Sequence, residues 1–436
     1  MPDSHNQSLE DKYNETVEFL YSLEKFGILL GLENITSLLE QLGNPQNKFP
    51  TIHIAGSNGK GSTSSYIYGI LRSAGYNGAL YTSPHLNDFR ERIILNGALI
   101  SKEEIVETTE KIRRIYDPTR TTFFEFTTAV AFDYIARSKP DFAVIEVGLG
   151  GRLDATNTIQ PLVTVITDIS REHEDYLGKG IAAVAGEKAG IIKPGVPVIT
   201  GAGRSEARRV ILEIARNKSA KVKEFGKHFA TRKTAIGIFH YQSDGLALKN
   251  VSYSMAGSHQ MKNAALAIAA SEALRDQGYN ISEAAIRDGI KRTVFPGRFE
   301  ILGKKPVTII DGAHTPEGMR LLKSTFRRHY PGTKPLLLLG ILQDKDRKTL
   351  LDIIVPLAGH VVCVPPESER AIDPEELAAM VRRRGVSANW ASDITEGFEM
   401  LKRKAREEDV ILVTGSLYVI GPIRKACGLA DEGFYL

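Results

Sequence analysis

Cysteine is almost absent from this chain. Cys363 and Cys427 are the only two in 436 residues, far apart and without metal-ligand spacing. That excludes a disulfide framework and a cysteine-held metal, and it fits a reducing, cytoplasmic setting. Cys363 falls in an apolar run and reads as core. Long apolar runs are missing as well: the longest, Leu336 to Leu342, is broken by Gly340 and is too short to span a bilayer. The N-terminal residues are polar and acidic, unlike a signal peptide. Charge of one sign is also scarce. With 56 basic and 52 acidic residues the net charge is +4, too small to argue for nucleic acid or a membrane surface but compatible with anionic small molecules. No repeat or low-complexity tract interrupts the chain. Its 25% charged and 42% hydrophobic residues are ordinary for a globular protein, and its length suggests two or three domains.

What is present is organised around residues 51–63, Thr-Ile-His-Ile-Ala-Gly-Ser-Asn-Gly-Lys-Gly-Ser-Thr. Thr51 to Ala55 alternate and carry β-branched side chains, as a buried strand does. A glycine-rich turn follows, then Lys60. After Ser62, apolar Ile67, Ile70 and Leu71 mark a helix. Strand, glycine loop, lysine and helix together form a phosphate cradle. Gly56, Ser57, Asn58, Gly59, Gly61 and Ser62 present backbone N–H groups, Lys60 reaches the β/γ-phosphates, and a hydroxyl faces magnesium. The match to a standard phosphate loop is incomplete: Ile54 stands where its first glycine belongs, and Gly61 separates Lys60 from Ser62.

Along the chain, residues 1 to about 12 read as a frayed polar arm. A helical stripe from Thr16 to Phe26 ends at Gly27 and Gly31, and a short helix covers Asn34 to Leu42. Gly78 to Tyr81 is a strand and Asn96-Gly97 a turn. A helix from Ser101 to Ile115 opens with a Ser101/Glu104 capping box, and the segment after Phe126 is helical to Arg137. Phe142 to Val147 and Leu162 to Thr167 are continuous apolar strands of the kind found in a parallel sheet covered on both faces. A helix bearing Glu187 and Lys188 precedes a strand over Val196 to Thr200. Residues 222–254 form a small β excursion, and helices cover His259 to Leu274 and Ser282 to Lys291. The expected class is α/β: an N-terminal nucleotide-binding domain with a mostly parallel sheet over residues 1–295, a linker at 296–300, and a smaller Rossmann-like domain over 301–436. The second domain has strands at Val307 to Ile310, Leu336 to Ile341, His360 to Val364 and Val410 to Val413.

In such sheets ligands sit beyond the carboxyl ends of the strands. A magnesium nucleotide needs hard oxygen ligands. Ser83 and Glu146 are candidates, Asp168 and Glu172 compete with them, and His173 offers a nitrogen. Read from its neighbours alone, Lys188 is a solvated helix lysine. Arg298 either clamps phosphate or pairs with Glu300. Asp311 and His314 repeat the strand-end pattern, while Thr315 and Pro316 have the form of a helix cap and first turn.

Seven segments in order resemble folylpolyglutamate synthase and dihydrofolate synthase, within the wider Mur ligase group. They are Gly31 to Ile35, His53 to Thr63, Thr82 to Leu86 with Phe89 to Ile93, Glu146 to Asn157, Glu187 to Lys193, Asp311 to Pro316, and Thr414 to Tyr418. The resemblance runs from about Leu20 to Gly421. It implies a three-layer ATP-binding domain joined to a Rossmann-like glutamate ligase domain. The implied reaction is ATP- and Mg2+-dependent amide formation: a carboxylate becomes an acyl phosphate, which the amine of L-glutamate attacks. Dihydropteroate or a folate is the implied acceptor, and the protein is expected to be a monomer. Residue by residue, the resemblance implies that Lys60 and Gly56 to Ser62 hold the phosphates. Ser83, Glu146 and His173 bind magnesium, and Lys188 is carbamylated and binds a second metal. Asn263, Arg298 and Asp311 contact ATP. Arg92, His314 and Ser416 serve glutamate, and Thr122, Phe124, Arg152, Asp154 and Ala155 face the pterin. Thr315 stands where many bacterial members have Asn, and Glu172 where the family often has Asp.

Two other readings compete. A Mur ligase acting on a cell-wall nucleotide usually carries an additional N-terminal domain, for which the segment before the glycine loop leaves no room. A phosphate-loop ATPase coupled to a partner would give Asp311 and His314 no purpose.

Overall fold

The strand expected at Thr51–Ala55 forms, and it lies inside the larger of the chain's sheets. The computed structural model describes residues 8–27 and 29–429. The larger sheet has eight strands, in the order Ala98–Leu99, Ile93–Leu95, Gly78–Tyr81, Phe142–Glu146, Thr51–Ala55, Val163–Ile166, Val198–Thr200 and Val222–Glu224. Gly78–Tyr81 through Val222–Glu224 run parallel. The hairpin turned at Asn96-Gly97 pairs antiparallel at one edge. Every residue of Thr51–Ala55 and Phe142–Glu146 is buried, which is why these segments are apolar without alternation. Helices Lys60–Ser73, Ser258–Arg275 and Glu283–Arg292 cover one face, packing Tyr66, Ile67, Leu266 and Ile286 into one core. Helices Leu9–Ser22, Glu33–Gln41 and Phe123–Ser138 cover the other around Leu20, Leu39 and Phe132. These are the three layers that the resemblance implies.

The β excursion is a separate antiparallel sheet of three strands, Phe229–Ala235, Ile238–Ser243 and Ala247–Ser252. It is tied to helix Ser258–Arg275 where Tyr241 and Ser243 donate their hydroxyls to Glu272. A third sheet of six strands follows in the order Glu300–Lys304, Val307–Asp311, Val410–Thr414, Leu336–Leu339, His360–Cys363 and Ala388–Trp390. It is parallel except for its first strand. Cys363 is fully buried in it, and burial pushes the thiol up to about 12, an inert core position. Among the described residues no helix is long and apolar enough to cross a membrane.

Several expectations need correction. Residues 9–12 are helical, because Ser8 caps helix Leu9–Ser22 in a reciprocal box with Asp11; residues 1–7 lie outside the described residues. The Ser101/Glu104 box is half formed: Ser101 accepts the Glu104 N–H, but the Glu104 carboxylate pairs with Arg137 at 2.8 Å. The loop helix starts at Lys60, not after Ser62. Strands at Glu300–Lys304 and Ala388–Trp390 carry too few apolar residues to be read from the sequence.

Helix Lys60–Ser73 crosses Glu283–Arg292 at near backbone contact. A Cβ on Gly289 would lie 2.4 Å from Ile70 Cα. The two lobes also meet at close quarters. A Cβ on Gly421 would lie 2.6 Å from the carbonyl oxygen of Leu86, and Asn58 Nδ2 donates to Glu317 Oε2 at 3.0 Å.

Candidate active site

Gly59 is left-handed, with φ 85, and precedes the helix without a side-chain cap. A residue with a Cβ would be strained there and would meet Asn263 Oδ1 at 2.5 Å. The first-turn N–H groups of Lys60, Gly61 and Ser62 have no partner one turn back, so they and the positive end of the helix dipole face the loop. Lys60 Nζ donates to the Gly56 carbonyl at 3.0 Å. Ser57 is locked to Ser170 through both its hydroxyl and the Ser170 N–H. Asn263 donates to Gln260 at 3.0 Å, and Gln260 donates to Ser62 Oγ at 3.2 Å. Asn263 and the phosphate loop therefore form one unit.

Lys188 is not solvated. Its side chain is 2% exposed, with Nζ 2.6 Å from Glu172 Oε1 and 3.0 Å from the Gly56 carbonyl. The reading from neighbouring residues fails because the sequence does not show that helix Ile181–Ala189 runs beneath the loop. Burial pushes the Lys188 amine down to about 8, against the pull of Glu172. Burial likewise pushes Glu146 up to about 7, with Lys60 pulling it back. Glu146 accepts the Ser83 N–H at 3.2 Å and, among the described residues, forms no salt bridge. A buried carboxylate of this kind has the donor chemistry that a hard divalent ion takes. His173 begins the short helix Glu174–Leu177 with φ 47 and is exposed. Among the described residues no three His, Cys, Asp or Glu side chains converge as a ready metal centre. A metal here would therefore take further ligands from a nucleotide and water.

The opposite wall comes from the six-stranded sheet. Asp311 ends its strand with both oxygens engaged, accepting N–H groups from Phe299 at 3.0 Å and Ala313 at 2.9 Å. Desolvation raises its carboxyl to about 6 while Arg298 opposes the rise. Arg298 does not pair with Glu300, because Arg424 takes that carboxylate at 3.1 Å. The Arg298 guanidinium instead lies 5.6 Å from the Phe295 ring centre, and its charge is felt at both Glu146 and Asp311. It thus links the two walls. His314 Nδ1 lies 2.8 Å from the Gly312 carbonyl, so that nitrogen carries the proton and Nε2 is left for a ligand. Thr315 caps helix Pro316–His329 by accepting the Gly318 N–H at 3.1 Å, so cap and site coexist.

The remaining residues divide. Arg92 is buried, and its Nε donates to His85 Nδ1 at 2.8 Å. Ser416 is buried and caps helix Leu417–Ala426. Thr122 caps helix Phe123–Ser138 in a reciprocal box with Glu125, and Phe124 stacks 6.4 Å from Tyr81. Asp154 spends its oxygens on the N–H groups of Leu149 and Thr156. It shapes the loop around buried Ala155, while exposed Arg152 pairs with Glu187 at 2.7 Å. Reading the sequence missed Gln260 and the bond between His85 and Arg92. His85 lay inside a segment singled out for other residues; Gln260 gave no signal, because only the fold brings it to Ser62.

The Mur ligase middle domain matches residues 54–271, and the Mur ligase glutamate ligase domain matches residues 297–417. The chain is 34% identical over 427 residues to the dihydrofolate synthase/folylpolyglutamate synthase of Bacillus subtilis, covering 95% of this chain and 98% of that protein. The crystal structure of folylpolyglutamate synthase from Thermotoga maritima is similar at 35% identity and a TM-score of 0.86, over 97% of this chain and 98% of that one. A bifunctional folylpolyglutamate synthase/dihydrofolate synthase with Mn, AMPPNP and L-glutamate bound is 29% identical, with a TM-score of 0.85, over 95% and 98% of the two chains.

Proposed function

This chain belongs to the Mur ligase family, in its folylpolyglutamate and dihydrofolate synthase branch, and is an ATP-dependent ligase; from that premise we propose that it joins L-glutamate to dihydropteroate, to folates, or to both. The observation that carries the reading is a lysine-bearing phosphate loop held against the second lobe: Asn58 donates to Glu317 at 3.0 Å, and Arg298 lies beside Gly312 with its guanidinium 5.6 Å from the centre of Phe295, the ring that packs on Gly61.

In this reading the acceptor carboxylate attacks the γ-phosphorus and ADP leaves. The amine of glutamate then attacks the acyl phosphate, giving an amide, inorganic phosphate and one proton. Phosphoryl transfer of this kind depends mostly on positioning and charge neutralisation. Lys60 and the loop N–H groups hold the phosphates. Asn263 beside the loop, and Arg298 and Asp311 across from it, hold the nucleotide from both sides of the cleft; the carboxylate of Asp311 can only accept there, from a hydroxyl or base N–H. Glu146, Ser83 and His173 would hold the divalent ion, which supplies positive charge to the phosphate oxygens when bound. Lys188, carbamylated, would add an anionic ligand. Its depressed basicity favours that modification, and its pair with Glu172 must open for it to occur. Arg92, His314 and Ser416 receive glutamate. Thr122, Phe124 and the Arg152 to Ala155 loop take the pterin side, with Asp154 holding the loop in shape. Closure of the lobes keeps water from the acyl phosphate. Residues 1–295 then act as the ATP-binding domain, 296–300 as the linker and 301–436 as the glutamate ligase domain, in a cytoplasmic monomer.

The test is product mass after incubation with ATP, glutamate and either dihydropteroate or tetrahydrofolate. One added glutamyl unit with the first, the second, or both defines the acceptor. ATP hydrolysis indifferent to both acceptors would sink the proposal.

A further inference from the structure

Arg92 is an unusual residue to bury. Its side chain is 7% exposed, and among the described residues no carboxylate lies within ion-pair distance of it. A guanidinium stripped of water without a counter-ion is costly, and an anionic ligand removes that cost. Its guanidinium lies 5.2 Å from the Phe123 ring centre and 5.9 Å from that of Phe89. Its Nε donates to His85 Nδ1 at 2.8 Å.

That contact fixes a chain of proton positions. Arginine only donates, so His85 Nδ1 holds a lone pair and the ring proton sits on Nε2. Nε2 faces the Tyr21 hydroxyl oxygen at 2.8 Å and donates to it. The hydroxyl's own proton is left to point elsewhere. Tyr21 is 39% exposed, and its ring is stacked on Phe123 with centroids 5.8 Å apart and planes at 15°. Phe123 therefore backs both the guanidinium and the phenol. Tyr418, from the other lobe, is among the ionisable groups around Arg92.

We propose that Tyr21 is a further substrate-binding residue, its hydroxyl donating to the same carboxylate that Arg92 holds, and that His85 is the positioning residue that sets both. The proposal rests on the reading of Arg92 as the receptor for glutamate. It gives a helix outside both matched domain regions a direct part in amino-acid recognition.

Steady-state kinetics test it. Tyr21→Phe removes only the hydroxyl and is expected to raise the KM for glutamate roughly tenfold, the effect of one hydrogen bond to a charged group. The KM for ATP should move less than twofold. His85→Asn keeps an acceptor for Arg92 Nε but does not reach Tyr21, and should reproduce the rise. The double variant should rise no further than either single one, because both act through one path. An unchanged KM for glutamate in Tyr21→Phe, a rise confined to the folate acceptor, or additive single effects would overturn the proposal. Arg92→Lys separates this from the underlying reading. If it leaves the KM for glutamate unchanged, the pocket does not receive the amino acid; if it raises that KM while Tyr21→Phe does not, only the part given to Tyr21 fails.

Discussion

Burial sets the chemistry of the ionisable residues under the phosphate loop. Glu146 has its carboxyl raised from the ordinary 4.5 to about 7 by desolvation. Between those values the unfolded chain has released its proton while the folded chain keeps it. Stability is therefore lost as pH rises through this window, and the loss is complete above about 7. Glu146→Gln cannot ionise and still accepts the Ser83 N–H. In thermal melts without metal or nucleotide, its Tm should exceed the parent's at pH 8, and the gap should narrow toward pH 5.5. A gap independent of pH would mean that Glu146 is not held in this way. Activity of the variant should be lost, the usual opposition between a strained site and stability. Lys188→Ala removes the proposed carbamate. We expect turnover to fall at least a hundredfold and short carboxylic acids to restore part of it. Loss without rescue would leave Lys188 as the partner of Glu172 and nothing more.

At the scale of elements, the loop helix Lys60–Ser73 is positioned by what crosses it. Gly289 on helix Glu283–Arg292 has no room for a methyl group against Ile70. Gly289→Ala should push the helices apart and cost about 1–3 kcal/mol, read as a lower denaturation midpoint, with a higher KM for ATP because the displaced helix begins at Lys60. An unchanged midpoint would show that the crossing relaxes freely. Elements were legible where one physical signal dominated: the apolar run of Phe142 to Val147, the β-branched Thr51 to Ala55, and the cap at Thr315 with Pro316. They were illegible where tertiary contact decides. Residues 10–12 are charged, yet Ser8 and Asp11 cap the segment into a helix. Lys188 looks like a surface residue until its helix is seen beneath Gly56. Glu104 had the spacing of a capping partner, but Arg137, a distant residue, claimed it. The glycine loop and the strand-end places of Glu146 and Asp311 could be found by pattern. The carbamate proposed at Lys188 and the glutamate role proposed for Arg92 rest on the resemblance alone.

At the scale of the whole molecule, one polar contact between the lobes carries charge. The Glu317 carboxylate reaches Asn58 on the phosphate loop, next to where a triphosphate would bring negative charge. Coulomb repulsion between the two should weaken nucleotide binding and be screened by salt. Glu317→Gln keeps an acceptor for Asn58 but removes the charge. Calorimetry should find ADP bound severalfold tighter than by the parent at low ionic strength, with the difference shrinking at high salt. Equal affinities would show that Glu317 turns away when nucleotide enters. No local pattern could have exposed this contact, because it joins residues from separate sheets.

The seam where Gly421 lies against Leu86 has a consequence of its own. With main chain touching main chain, the lobes can swing about that line but have little freedom to slide along it, like a book turning on its spine. Small rotations there become large displacements at the outer edges of the pages. Any foreign bulk lodged in the spine would prop the book open, leaving each lobe able to take its own reactant and the pair unable to bring them together.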